Sequence, residues 1–152
     1  MLYSMAGLFV ESSDEVLKRI RFASSAEDLV ENICHTEGNQ LIIDHRYFKH
    51  IASPVSYQTI TTKIVNGIDE ILASHPKFIA HICIKSLTVS DVEKHMAYIK
   101  ALSITLKERY QDKMEKCSVY KAPFIFAQIY GIVSCLIDKD TQAKISLVKQ
   151  TK

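Results

Sequence analysis

The side chains best suited to chemistry in this chain are its six histidines and four cysteines. His35, His45 and His50 lie close in sequence to Cys34 and Asp44, and these residue types can bind a metal or support hydrolysis. Their spacing matches neither a zinc motif nor a hydrolase motif, and surface histidines are the simpler interpretation. We therefore predict no metal site and no catalytic group here.

Two other histidines lie inside predicted elements. His81 lies in an apolar strand, where a hydrogen-bonded core histidine is a better interpretation than a catalytic base. His95 lies on a long helix and is expected to face solvent or to pack at the helix edge. The sequence contains no G-x-S-x-G, H-E-x-x-H or glycine-rich phosphate loop, and it has four glycines in all. These observations predict a protein that is not an enzyme and that needs no cofactor.

Composition favours one compact domain. The chain has 152 residues, of which 47% are hydrophobic and 24% charged, so it can bury a core of its own. A net charge of +2 without a basic cluster argues against a nucleic-acid partner. The scattered cysteines predict a reduced, cytoplasmic protein. Residues 1–10 are interpreted as a packed arm, since they lack the basic start of a signal peptide.

Periodicity predicts an α/β fold. Strands are expected at 41–43, 78–84, 117–120 and 145–148, with 78–84 at the centre of the sheet because both of its faces are apolar. Helices are expected after the caps at Ser12–Asp14 and Ser24, and over 56–74, 88–110 and 122–137. Residues 45–54 are predicted to form a basic, aromatic surface loop. Alternating helices and strands imply a mostly parallel sheet of about four to five strands flanked by helices.

The segment from Ala122 to Ile137 carries no charged side chain over sixteen residues. Pro123 suits the first turn of a helix, and strands are predicted on both sides, so the whole forms a βαβ unit with parallel strands. A helix on a sheet normally keeps a polar outer stripe, which this one lacks. It is also shorter than the roughly 20 residues that span a bilayer. The segment is therefore a buried core helix, a lid over an apolar cavity, or an interface.

The same region resembles the C-terminal half of the CRAL-TRIO lipid-binding domain. The shared pattern begins with an aromatic residue, an acid, Met and Lys at alternate positions, which lead into a strand. The sequence Ala-Pro-Phe and an apolar helix follow. The pattern ends with Asp-x-x-Thr-x-x-Lys-Ile and a last strand. It matches without gaps and extends upstream to about Phe78. In this sequence it is carried by Tyr110, Asp112, Met114, Lys116, Ala122, Pro123, Phe124, Asp138, Thr141, Lys144 and Ile145. The resemblance implies one domain over 1–152, with an abbreviated helical part at 1–38 and an α/β core at 39–152.

The resemblance also implies a headgroup site. In members that transfer phosphatidylinositol, an acid before the penultimate strand and a lysine before the last strand hold the headgroup, and these positions fall on Asp112 and Lys144. Thr141 falls on a third such position. An ammonium can bind phosphate, and a carboxylate can accept hydrogen bonds from inositol hydroxyls. Asp112 has a shorter reach than the family's glutamate. On the residues alone, an exposed ion pair worth at most about 1 kcal/mol is preferred.

The acyl chains are expected between the sheet and the helix from Pro123 to Ile137, which would open at a membrane surface. The predicted apolar wall consists of Phe124, Phe126, Ile129, Val133, Phe78, Ala80 and Ile82. Phe78 and Ala80 stand where small hydroxyl residues contact a choline phospholipid in some members, which disfavours that ligand. The abbreviated domain predicts a smaller cavity or none.

Two functions stay open at this point. The first is binding or transfer of a lipid such as a phosphoinositide by a cytoplasmic protein that visits membrane surfaces. The second is the role of shortened CRAL-TRIO domains found beside Rho-GTPase-activating modules, which bind another protein or form a homodimer without lipid. Cavity volume and co-purifying lipid would distinguish them.

Overall fold

A five-stranded sheet forms the centre of the protein, with strand order β1-β2-β3-β4-β5. The computed structural model describes residues 8–149, except the side chain of Ala26. Strand β1 is antiparallel to β2, and every other neighbouring pair is parallel. The prediction of a mostly parallel α/β sheet with 78–84 at its centre is confirmed. The strands are β1 (Cys34–Glu37), β2 (Gln40–Asp44), β3 (Phe78–Cys83), β4 (Met114–Tyr120) and β5 (Ile145–Leu147).

Eight α-helices are described around this sheet in residues 8–149, and side-chain caps mark where five of them begin. Ser12, Ser25, Asp44, Thr88 and Asp138 each accept a hydrogen bond from a backbone N–H in the first turn of the helix that follows. The helices are α1 (Ser13–Arg21), α2 (Ala26–Ile33), α3 (His45–Ile51), α4 (Tyr57–Leu72), α5 (Val89–Lys94), α6 (Met96–Tyr110), α7 (Phe126–Val133) and α8 (Lys139–Ala143), with a short 3₁₀ helix at Ser134–Leu136.

Several predicted boundaries are wrong. The cap of α2 is Ser25, not Ser24. The segment predicted as helical to residue 38 turns into β1 at Cys34, because residues 34–37 pair with β2. The predicted loop at 45–54 contains α3, since Asp44 caps a helix there. The predicted helix 88–110 is interrupted at His95, which is buried and leaves helical geometry with ψ 14°.

The predicted N-terminal arm falls partly outside the described residues, at positions 1–7. Its end packs at the carboxyl edge of the sheet, where Phe9 is buried against Ile42 and Cys83. The Phe9 ring also lies 5.2 Å from that of Tyr120. In residues 8–149, no helix combines the length and apolar character needed to cross a membrane.

Helix α4 packs closely on the sheet at Gly67. A Cβ atom on this residue would lie 3.1 Å from Thr36 Cγ2 and 3.3 Å from Leu41 Cδ1, so any side chain here would have to displace these two neighbours. The absence of a Cβ therefore lets the helix backbone approach β1 and β2.

Gly67→Leu is expected to lower the free energy of unfolding by about 1–3 kcal/mol, because the new side chain overpacks this contact. The measurement is urea denaturation. Gly131→Leu is the matched control, since a Cβ at that helical glycine meets nothing within 4 Å. There the gain in helix propensity of up to about 1 kcal/mol should dominate. Equal effects at the two sites would contradict the close approach.

Candidate functional site

A cavity of about 480 Å³ lies on one face of the sheet. Its floor is a row of apolar side chains that crosses four strands. Leu41 of β2 pairs in register with Ala80 of β3, which pairs with Cys117 of β4, which in turn pairs with Ile145 of β5. All four line the cavity. Because side chains alternate between the faces of a strand, the apolar residues at every second position create one continuous floor.

Two helices form the walls. Leu102 and Leu106 of α6 line one side, and Ile64 and Ile68 of α4 line another. Their spacing of four places each pair on a single helix face. Buried Tyr110 lies at the end of α6 and lines the cavity as well. The cavity is thus apolar over most of its depth.

The mouth of the cavity is polar. Asp112, Thr141 and Lys144 line it, and in the described part of the chain Asp112 and Lys144 form no ion pair with each other or with another residue. Asp112 lies in the turn between α6 and β4 with a left-handed backbone (φ 62°), a conformation that aspartate tolerates well. The mouth therefore presents an ammonium and a carboxylate that have no ion-pair partner within 4 Å among residues 8–149.

Asp138 organises the same rim. Its carboxylate accepts hydrogen bonds from the Thr141 backbone N–H at 2.8 Å and from the Thr141 hydroxyl at 3.0 Å, which starts α8. These bonds, above all the backbone one, and the nearby Lys107 lower the pKa of Asp138. The Thr141 hydroxyl donates to Asp138, so its oxygen is left to accept a further hydrogen bond from a ligand.

Comparison with known proteins identifies the family and the fold of this chain. The family model for the CRAL/TRIO domain matches residues 74–152, which is 79 of the 152 positions. This chain belongs to the CRAL/TRIO family. The crystal structure of Sfh5 superposes with a TM-score of 0.64 and 10% sequence identity, over 83% of this chain and 52% of that one. The chain therefore spans about half of that structure, and the likeness shows a shared fold. A search of the curated proteins finds no match.

The CRAL-TRIO resemblance predicted ten binding residues, and six of them line the cavity. These are Phe78, Ala80, Ile82, Asp112, Thr141 and Lys144. Residues from three distant parts of the sequence are thus brought together around one space. Whether they contact a ligand stays a prediction.

Phe124, Phe126, Ile129 and Val133 do not line this cavity, and the predicted helix over 123–137 reaches it through its last two residues, Leu136 and Ile137. Helix α7 ends at Val133, and the residues that reach the cavity come later, at Leu136 and Ile137. Phe124 precedes the helix and is 100% exposed, whereas Ile129 is buried away from the cavity. A segment without charges does not specify which of its side chains face a given space.

The α6 wall was missed as part of the site. The sequence predicted that Leu102 and Leu106 face the sheet, and they do pack against the core. The same stripe could have identified them as cavity residues, because a helix that covers a sheet also covers any space left on it. The apolar stripe of α4 could have identified Ile64 and Ile68 as cavity residues in the same way.

Two of the candidate reactive groups, His81 and Cys117, are buried on the sheet. His81 lies on the opposite face of β3 from Ala80 and shares hydrogen bonds with the Tyr120 hydroxyl and the Gln40 side chain, which agrees with a core histidine. Burial raises the pKa of the Cys117 thiol to about 11, so this residue is a poor nucleophile near neutral pH. Within residues 8–149, no group of three His, Cys, Asp or Glu residues is arranged to hold a metal.

Proposed function

We propose that this CRAL-TRIO chain binds a lipid without altering it chemically. The acyl part lies in the cavity between the sheet and helices α4 and α6, and the headgroup lies at the rim beside Lys144. The observation that carries the proposal is an apolar cavity of about 480 Å³ whose mouth holds a lysine and an aspartate with no ion-pair partner in the described chain.

The energetics of this arrangement are favourable. Each buried CH₂ group contributes about 0.8 kcal/mol, so a medium-length chain supplies ample affinity without a reactive side chain. Lys144 can bind a phosphate, while Asp112 can accept hydrogen bonds from hydroxyl groups. A phosphoinositide headgroup contains both the phosphate and the hydroxyl groups that these two side chains can bind. Because Asp112 and Lys144 form no ion pair with each other, each remains able to interact with the ligand.

The proposal includes a location and a mode of action. Cys34, Cys83, Cys117 and Cys135 are free thiols, and the first three are buried, which supports a reducing cytoplasmic environment. Exchange of lipid requires that the protein visit membrane surfaces. Transfer of a fluorescent lipid between two vesicle populations would report that activity.

Lys144→Ala is expected to weaken binding of phosphatidylinositol by about 10–100-fold, since a hydrogen bond to a charged group contributes about 1.5–3 kcal/mol. The measurement is titration of the protein with vesicles that contain phosphatidylinositol. Thermal unfolding of the variant should match that of the parent, because Lys144 forms no ion pair in the part of the chain that the structure describes. Lys100→Ala, on the exposed side of α6, is the control. Unchanged binding in Lys144→Ala would remove this residue from the site.

The second candidate function is binding of another protein or of a second copy, without lipid. The fully exposed ring of Phe124 favours it, together with the exposed apolar side chains of Leu147 and Val148 at the β5 edge of the sheet. Native mass spectrometry separates the two candidates. A monomer that carries lipid supports the first function, whereas a lipid-free dimer supports the second.

A further inference from the structure

The size of the cavity limits the ligand. Its volume of about 480 Å³ lies in the lower half of the range of roughly 300–1,000 Å³ that is typical of sites for drug-sized ligands. A phospholipid with two long acyl chains is much larger than this space. One chain fits the apolar part, with the glycerol and headgroup at the rim.

The cavity is also held at a fixed width. At one end, the Tyr98 hydroxyl of α6 shares a hydrogen bond of 2.9 Å with Thr61 of α4. The Tyr98 ring stacks on that of Tyr57, with centroids 4.3 Å apart and planes inclined by 5°. These contacts join α6 to α4 at a position that precedes, in each helix, the residues that line the cavity.

A second clamp joins the same helices at the other end. The Tyr110 hydroxyl donates to Asp69 Oδ1 at 2.7 Å and to the Val65 carbonyl at 3.2 Å. The Tyr110 ring also meets Phe78 edge to face, with centroids 6.5 Å apart. Making room for a second chain by moving α6 away from α4 would break both clamps. The walls therefore favour a ligand that needs no such movement.

The charged residues at the rim limit which polar headgroup the ligand can carry. It carries three lysines and three aspartates, namely Lys107, Lys139, Lys144, Asp112, Asp138 and Asp140. A simple carboxylate, such as that of a fatty acid, would meet as many negative as positive groups. A headgroup with a phosphate and hydroxyl groups interacts with both kinds of side chain. The lysines bind the phosphate, and the aspartates accept hydrogen bonds from the hydroxyls.

We infer that the ligand class is a glycerophospholipid with a single acyl chain, that is, a lysophospholipid with a polyhydroxylated headgroup. The inference rests on the proposed function and narrows it. The chain occupies the clamped apolar space, and the phosphate and hydroxyls occupy the mixed-charge rim.

The test is a competition between three lipids of equal chain length. The protein is incubated with equimolar 1-palmitoyl lysophosphatidylinositol, dipalmitoyl phosphatidylinositol and palmitate, and the complexes are counted by native mass spectrometry. We expect the lysophospholipid to be preferred over each competitor by about tenfold or more. Preference for the two-chain lipid would overturn the inference and leave the proposed function intact. Equal retention of palmitate would overturn the assignment of the headgroup. Absence of all three lipids would overturn both the inference and the proposed function.

A variant that fills the cavity provides a second measurement. Ser103 of α6 lines the cavity, and Ala101 lies on the exposed side of the same helix. Ser103→Leu should lower retention of the lysophospholipid by about tenfold, and Ala101→Leu should leave it unchanged. Circular dichroism establishes that both variants fold. Should Ser103→Leu fail to fold, the competition with the parent protein decides the inference alone. Full retention in a folded Ser103→Leu would show that the chain binds elsewhere.

Discussion

Asp44→Ala is expected to destabilise the protein by about 3–5 kcal/mol, because it leaves the charge of Arg46 buried without its partner. The two side chains are among the least exposed charged groups in the described chain, at 7% for Asp44 and 4% for Arg46. Arg46 Nη2 lies 2.8 Å from Asp44 Oδ2, and Arg46 Nε donates to Asp44 Oδ1 at 3.1 Å. This fork geometry is the strongest form of a carboxylate–guanidinium pair.

The pair also holds neighbouring segments in place. Asp44 Oδ1 accepts from the Arg46 backbone N–H at 3.0 Å and so caps α3. Arg46 also donates to the Glu11 carbonyl, which ties the segment before α1 to the first turn of α3. Asp44→Ala therefore removes a helix cap together with the ion pair, and loss of the cap alone costs about 0.5–2 kcal/mol.

Urea denaturation measures this effect against two controls. Lys63→Ala removes an exposed ion pair with Glu31 and should cost less than about 1 kcal/mol. The double variant Asp44→Leu with Arg46→Met removes both charges of this buried pair and should recover much of the stability. A cost below about 1 kcal/mol for Asp44→Ala would mean that water reaches Arg46.

Stability is expected to fall as the pH is lowered from 7.5 to 5, because three buried histidines resist protonation in the folded state. Burial is the main cause that lowers the pKa of His45, His81 and His95 from the ordinary value of 6.5. Lys116 adds to the effect at His81 and Lys94 at His95, while Asp91 opposes it at His45 and His95. At His45, Nε2 is buried without a hydrogen-bond partner among the described residues, 3.4 Å from Asp91 Oδ2.

The direction follows from proton binding. Unfolded histidines titrate near pH 6.5, so below that pH the unfolded chain binds protons that the folded protein does not. The contribution of these histidines to the free energy of unfolding is complete above about pH 7.5. It is lost as the pH falls toward their lowered pKa values in the folded state. Each histidine contributes a slope of at most about 1.4 kcal/mol per pH unit.

Urea denaturation at a series of pH values gives the slope. His95→Gln should reduce it, because one of the three buried imidazoles is removed. His50→Gln changes an exposed histidine and serves as the control for the substitution itself. A flat profile between pH 7.5 and 5 would show that the buried histidines accept protons without cost.

Much of the fold was predictable because its signals are local. The apolar runs of β3 and β4, the spacing of Ile60, Ile64, Ile68 and Ile71 in α4, and the capping residues Ser12 and Thr88 each act within a few residues. Four of the five strands and their parallel order follow from such patterns. Strand β1 was missed because its residues, Cys-His-Thr-Glu, have no strand alternation and are extended only through pairing with β2.

The candidate site was predictable in part. Asp112, Thr141, Lys144, Phe78, Ala80 and Ile82 were identified through the family pattern, and the fold brings them to one cavity. The four residues at 124–133 were assigned to the same wall because their segment lacks charge. Lack of charge reports only that a segment avoids water, and it does not distinguish one apolar surface from another.

The sequence by itself determined that this is an α/β chain of the CRAL-TRIO family with a mostly parallel sheet, because hydrophobic periodicity and family pattern are properties of consecutive residues. The tertiary structure decided where the free space lies, how wide it is, and that Asp44 and Arg46 are buried together. A cavity is the volume left between elements far apart in sequence, here β2, α4, β3, α6, β4 and β5. Its place and size therefore depend on how those elements pack, and no single segment encodes them.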